Sequence, residues 1–261
     1  MTASPTMRAV VEALGLPSEA RVDARVPKKL LIEQGAQTAS DKRAIQEGID
    51  ELQWFAACKP TTIGVPTFSD EVREYLEIAV VGCVFRESTD GKSAKASRLI
   101  ELIHRAIPYP VILLTSNQDT LTVSAAHKRR SQNEAARVVI DGVVAAAGLH
   151  PDKADPLEQS FLASLTLAQQ PRRDLAALYE GWLARVEALK ASRLTGTYTS
   201  TDIAEAIELR RQALGVSTQI LRQITGLRTQ AKREKQLKRR VDLNVQIQRL
   251  EADLAIHKNN L

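Results

Sequence analysis

Seven of the thirteen residues from Arg228 to Arg240 are cationic: Arg228, Lys232, Arg233, Lys235, Lys238, Arg239 and Arg240, opposed by Glu234 alone. Charges this dense repel one another, and a phosphate backbone relieves the repulsion while releasing its own counterions. The chemistry expected here is contact with an anion, either nucleic acid (DNA in first place) or an acidic protein surface. The competing reading is a solvated face of a coiled coil, where outward basic residues are common. A second cluster, His127-Lys128-Arg129-Arg130, follows a strand-like run at 120–126. Sheets present functional groups at strand ends and in the loops beyond them. Phosphate or partner contact is expected of these four residues, ahead of a general-base role for His127.

Enzymatic motifs are weaker. Gly91-Lys92-Ser93 resembles the end of a phosphate-binding loop, but that loop needs a glycine at position 86, which is Arg. A metal-dependent nuclease would need an acid plus an acid-x-Lys pair on neighbouring strands, so that carboxylates hold Mg²⁺ and lysine orients water. Asp90-Gly91-Lys92 has the spacing but falls in a polar loop; Glu74, Glu77 and Asp141 lie by strands without a lysine. The histidines at 104, 127, 150 and 257 are too scattered for a zinc site. No Gly-x-Ser-x-Gly or Ser-His-Asp pattern is present. No cofactor and no metal are expected, and a nuclease with a degenerate motif is the enzymatic alternative.

The elements that would position these charges divide into two kinds. Up to about residue 150, helical and strand patterns mix. Residues 6–15 read as a short helix. Ser40-Asp41 caps an amphipathic helix through Ile45, Ile49, Leu52 and Phe55, which Lys59-Pro60 ends. Thr61–Phe68 alternates like an edge strand carrying Pro66, and Tyr75–Phe85 reads as a central strand. A polar loop at 86–95 leads to a helix near 97–107. Strands follow at 111–114 and 120–126 around a turn at Asn117-Gln118-Asp119, and 137–147 starts as a strand.

Beyond residue 151 only helices are expected. A pair at 156–169 and 172–194 turns Leu175, Leu178, Tyr179, Trp182 and Leu189 inward. From Asp202, with Glu205 completing a cap, to Lys258 no proline intervenes. Unbroken, that helix would run roughly 85 Å. Val216, Ile220, Leu227, Leu237 and Val241 fit one heptad frame, and Leu243, Ile247, Leu250, Leu254 and Leu261 another. The frame shifts near 241–243, as a stutter requires. The fold class is therefore α+β, a mixed α/β sheet with packed helices, followed by an all-α, coiled-coil-like region. The expected divisions are a body at 1–150, a helical pair at 151–195, and long basic helices at 196–261.

The net charge of +5 matters because it is concentrated. An aromatic content of 4% leaves too few rings for a base-stacking surface. Cys58 and Cys83 cannot build a disulfide framework and read as small buried hydrophobes, which suits a reducing compartment. No stretch of 18 apolar residues and no signal peptide appear, so a cytoplasmic chain without membrane contact is expected.

Val26-Pro27-Lys28-Lys29, the helix ending in Leu52-Gln53-Trp54, the strand Glu77–Phe85, Ile107-Pro108-Tyr109-Pro110-Val111-Ile112-Leu113 and Ser124-Ala125-Ala126-His127-Lys128-Arg129 together carry a resemblance. The chain resembles an uncharacterised bacterial and archaeal domain-of-unknown-function family numbered in the four-thousands, over roughly residues 10–250. The resemblance implies gene neighbourhoods holding DNA methyltransferases and helicases of restriction-like defence systems. It implies no catalytic residues. The expectation is a non-enzymatic accessory subunit acting on DNA with a helicase or methyltransferase in a defence or restriction-modification system. Its C-terminal helices would mediate assembly, including possible homo-oligomers. A protein-only structural adaptor is the remaining alternative.

Overall fold

The computed structural model describes residues 5–86, 93–117, 120–130 and 138–261. The chain divides into two units, Met1–Val186 and Glu187–Leu261.

The first unit is built on a six-stranded mixed sheet. In chain order its elements are α1 (Pro5–Ala13), β1 (Arg21–Arg25), α2 (Lys28–Gly35), α3 (Ala39–Gly48), β2 (Ile49–Cys58), α4 (Pro60–Ile63), β3 (Phe68–Ser69), β4 (Glu74–Tyr75) and β5 (Ile78–Phe85). There follow α5 (Ser93–Ala106), β6 (Val111–Asn117), β7 (Thr120–Ala125), β8 (Lys128–Arg130), β9 (Val138–Ile140), β10 (Val144–Leu149), α6 (Pro156–Ser164) and the first part of α7 (Leu175–Thr195). The strand order is β1-β2-β5-β6-β7-β10, and β3-β4 and β8-β9 are separate two-stranded ribbons. Only β5 and β6 run parallel, which requires a crossover, and α5 supplies it.

Both faces of the central strands are covered, so they read as continuous apolar runs rather than alternating ones. Ala79, Val81, Cys83 and Phe85 of β5 and Val111 and Leu113 of β6 pack with Leu31, Ile45, Leu99 and Ile103 of α2, α3 and α5. On the other face, a Cβ on Gly82 would collide with Phe55 and touch Met7 of α1. The Tyr179 hydroxyl accepts the Ala126 N–H at 2.8 Å and reaches the Val111 carbonyl at 2.9 Å, fixing α7 over β6 and β7. Burial raises the Cys58 thiol to about 12 and pushes Cys83 up as well, so both cysteines are inert packing groups.

Three local expectations are corrected. The helix expected to run from Ser40 to Cys58 ends at Gly48, its N-cap is Thr38, and Ile49–Cys58 is a strand. Two bulges in β2, between Ile49 and Glu51 and between Trp54 and Ala56, each insert an extra residue. The first puts Ile49 and Leu52 on one face three apart, which mimics helical spacing. The strand expected at Thr61–Phe68 is the one-turn helix α4, begun by Pro60 and ended by Gly64 at φ +67°. Proline suits the first helical position, and Thr62 accepts the Lys59 N–H at 2.9 Å. The Asp202 cap does not form; the helix that follows starts after Ile203 without a side-chain cap. The loop residues 87–92 and turn residues Gln118 and Asp119 lie outside the described residues.

The second unit contains the end of α7, α8 (Ala204–Arg233) and α9 (Leu237–His257). The single long helix that the absence of proline allowed is broken at Glu234-Lys235-Gln236, and α9 packs back on α8. Gly215 and Gly226, the suspected weak points, lie inside α8. Ile220, Ile224 and Leu227 meet Ile247, Leu250 and Leu254 in an antiparallel hairpin seam. The turn at 234–236 precedes the expected frame shift at 241–243, so Leu237 and Val241 of the first frame fall at the start of α9 and are exposed rather than in the seam. Within this unit Arg211 grips the buried Glu187 at 2.7 Å. No described helix is long and apolar enough to cross a membrane.

Candidate nucleic-acid interface

The hairpin turn collects the basic run at one end of the second unit. Lys232 and Arg233 form the last turn of α8, Lys235 sits in the connection, and Lys238, Arg239 and Arg240 form the first turn of α9. The one acid in the run holds the bend: the Glu234 carboxylate accepts the Gln236 N–H at 2.8 Å. The Glu234 N–H closes α8 onto the Gln230 carbonyl at 3.0 Å. A shallow groove of about 510 Å³ lies at the bend, with Arg233 and Arg239 in its walls beside Glu234 and Asp242.

Arg228 stands one turn back from the tip and is matched, its guanidinium 2.6 Å from Glu251 on α9. Among the described residues the other six cations have no ion pair, and all six are exposed.

The helix ends treat these charges differently. The C-terminus of α8 carries partial negative charge and favours Lys232 and Arg233. The N-terminus of α9 carries partial positive charge, and its first turn holds three cations and no acid. No side chain caps α9 either. Lys238, Arg239 and Arg240 therefore sit where the helix dipole disfavours them.

The second basic cluster is arranged otherwise. Lys128 is 3% exposed and turns inward, its ammonium donating to the carbonyls of Ile107 at 2.5 Å and Tyr109 at 2.6 Å. Burial lowers its pKa to about 7. His127 is held between two groups: its Nε2 lies 2.5 Å from the Glu180 carboxylate, and its Nδ1 shares a 2.9 Å hydrogen bond with the Tyr75 hydroxyl. Arg129 pairs with Asp141 at 3.0 Å, and Arg73 reaches the same carboxylate at 3.8 Å. Arg130 pairs through its backbone with Val138, and its side chain lies outside the described residues. Lys128, His127 and Arg129 are thus engaged within the body, joining β8 to β4, α7 and the loop after α5.

A family model described as a domain of unknown function, DUF4391, matches residues 14–254. The chain belongs to the DUF4391 family. No curated protein and no solved structure matches it. The match spans the body of this DUF4391 chain and the hairpin tip.

The acids considered for metal chemistry are dispersed in this DUF4391 chain. Glu77 pairs with Lys59 at 3.0 Å, and Asp141 is held by Arg129 and Arg73. Asp90 and Lys92 lie outside the described residues. Among the described residues no three His, Cys, Asp or Glu side chains converge on a metal position. What sequence reasoning missed is the Tyr75–His127–Glu180 relay and the inward turn of Lys128. The signal for Lys128 was its place after the apolar run Val123-Ser124-Ala125-Ala126, which carries the chain out of the core.

Proposed function

We propose that this DUF4391 chain is a non-enzymatic accessory protein that meets the phosphates of DNA through the tip of its C-terminal hairpin. In that reading it works beside a helicase or methyltransferase of a restriction or defence system. The setting rests on the family resemblance alone. The phosphate contact rests on one observation: six exposed cations, Lys232, Arg233, Lys235, Lys238, Arg239 and Arg240, crowd one hairpin end with no acid of the described chain paired to them. Surface cations kept for solubility are usually interspersed with acids. Here Glu234 is the one acid within the run, its carboxylate is taken by the Gln236 N–H, and three of the cations oppose the local helix dipole.

The test is a binding titration of the full chain on duplex DNA at several salt concentrations. Six neutralised phosphates give a slope of log affinity on log salt near −5, hence about a thousandfold loss between 50 and 200 mM. Reversal of Arg233, Lys235, Arg239 and Arg240 to Glu removes binding. Affinity that is absent at low salt, or indifferent to salt, overturns the reading. If the reversed variant also retains full function in cells, the protein-only adaptor takes its place.

A further inference from the structure

We propose that the outer face of α9 is a self-association surface that pairs antiparallel with the same face of a second copy. The proposal is independent of DNA contact. It starts from a helix that is apolar on two sides. Leu243, Ile247, Leu250 and Leu254 lie toward α8, with Ile247 and Leu254 buried. At 100° per residue, Val241, Val245, Gln248, Ala252 and Ala255 fall on the opposite side. Their spacing of four, three, four and three residues is a heptad seam. All five are exposed, Val241 by 51% and Val245 by 41%. Leu237 and Ile256 border the seam's two ends at 66% and 65% exposure. A monomer gains nothing from keeping such a stripe in register on a face that packs against nothing.

The identity of the occupant follows from charge. Asp242 and Arg249 lie seven residues apart on the same flank of the seam. Both are exposed, and neither has a hydrogen bond or ion pair in the described chain. When two such helices pair antiparallel, matching flanks face each other. Asp242 of one copy then meets Arg249 of the second, and Arg249 meets the second copy's Asp242. In that register Val241 lies opposite Ala252, Val245 opposite Gln248 and Ala255 opposite Lys238. Parallel pairing instead sets Arg249 against Asn244 and Asp242 against Leu237, with no charge matched. Each free ion therefore has its counter-ion at the symmetry-related position of its own helix, the signature of a two-fold interface. The pairing sends the two hairpin tips to opposite ends, leaving Lys232, Arg233, Lys235, Arg239 and Arg240 outside the seam.

The face is small, so the association is expected in the micromolar range. Sedimentation equilibrium of the full chain from about 5 to about 200 µM measures it. The expected result is a monomer–dimer equilibrium. Asp242→Arg alone, or Arg249→Asp alone, weakens it roughly tenfold or more, because each creates two like-charge contacts per dimer. The double variant restores the wild-type constant to within about threefold. Circular dichroism confirms that the variants stay folded, as expected of exposed side chains. A chain that is monomeric at every concentration overturns the proposal. So does a dimer that the single reversals leave intact, or one that the double variant fails to rescue.

Discussion

Lys128 offers a direct measurement of how the body treats a charge that the sequence presents as part of a surface patch. Its ammonium is buried and held by the carbonyls of Ile107 and Tyr109, and burial brings its pKa from 10.5 to about 7. Between these values the unfolded chain keeps the lysine proton and the native chain has released it. The unfolded state then binds more protons, so unfolding free energy rises with pH, by about 1.4 kcal/mol per pH unit. The lysine is half deprotonated already at pH 7, so from pH 7 to pH 9 the contribution is about 2 kcal/mol. Lys128→Met keeps the apolar stem and removes the titration. It also leaves two carbonyls without a donor, but that penalty does not depend on pH and cancels from the slope. His104, fully buried with its pKa pulled well below the usual value, acts only below about pH 6.5, outside this window. Urea unfolding of both proteins at pH 7, 8 and 9 gives the difference curve. A wild-type excess growing by about 2 kcal/mol is the expected result. A flat difference refutes the reasoning, because the ammonium would then stay charged on its two carbonyls through the whole range. DNA binding of Lys128→Met is expected to match wild type, since the side chain does not reach the surface.

Tyr179→Phe strands the buried Ala126 N–H and Val111 carbonyl together and is expected to destabilise the first unit by about 2–4 kcal/mol, read as a lower denaturation midpoint. Lys238→Gln, Arg239→Gln and Arg240→Gln, combined, relieve an unfavourable dipole interaction at the start of α9. They are expected to raise thermal stability at low salt, by about 0.3–1 kcal/mol each, while lowering DNA affinity. A variant that loses stability and keeps affinity would contradict both halves.

The core of the body was readable because both faces of the central strands are covered. Within the expected strand Tyr75–Phe85 it is Ile78–Phe85 that forms β5, and it and Val111–Leu114 are apolar throughout and pair as neighbouring strands, while Tyr75 belongs to the β3-β4 ribbon. The inward set on α7, Leu175, Leu178, Tyr179, Trp182 and Leu189, is fully buried for the same reason. What failed to read was local geometry that changes a period. The bulges of β2 turned a strand into an apparent helix. Pro60 and Thr62 made a helical turn inside an alternating run. The bend at Glu234-Lys235-Gln236 carries neither glycine nor proline, so nothing in its composition announces a break. It is legible only from both sides at once, when the apolar residues at 220, 224 and 227 are set against those at 247, 250 and 254.

That bend decides what the basic run can mean. Along a straight helix, Arg228–Arg240 would spread over roughly 18 Å at 1.5 Å per residue, with its cations pointing in several directions. Folded at 234–236, the same residues occupy one end of a hairpin, where the only acid of the run is spent on the Gln236 N–H. The His127–Arg130 run, equally basic on paper, is spread by its strand among a core pocket, a carboxylate and a phenol. Two sequence clusters of like composition thus differ in the one property that matters to a polyanion, the number of cations free to leave their counterions. In the hairpin six are free; in the body Lys128 is committed to backbone carbonyls, and His127 and Arg129 to acids. Charge density along a chain can serve a polyanion only where the fold leaves it unmatched, and of the two basic runs the one left unmatched among the described residues is the turn between α8 and α9.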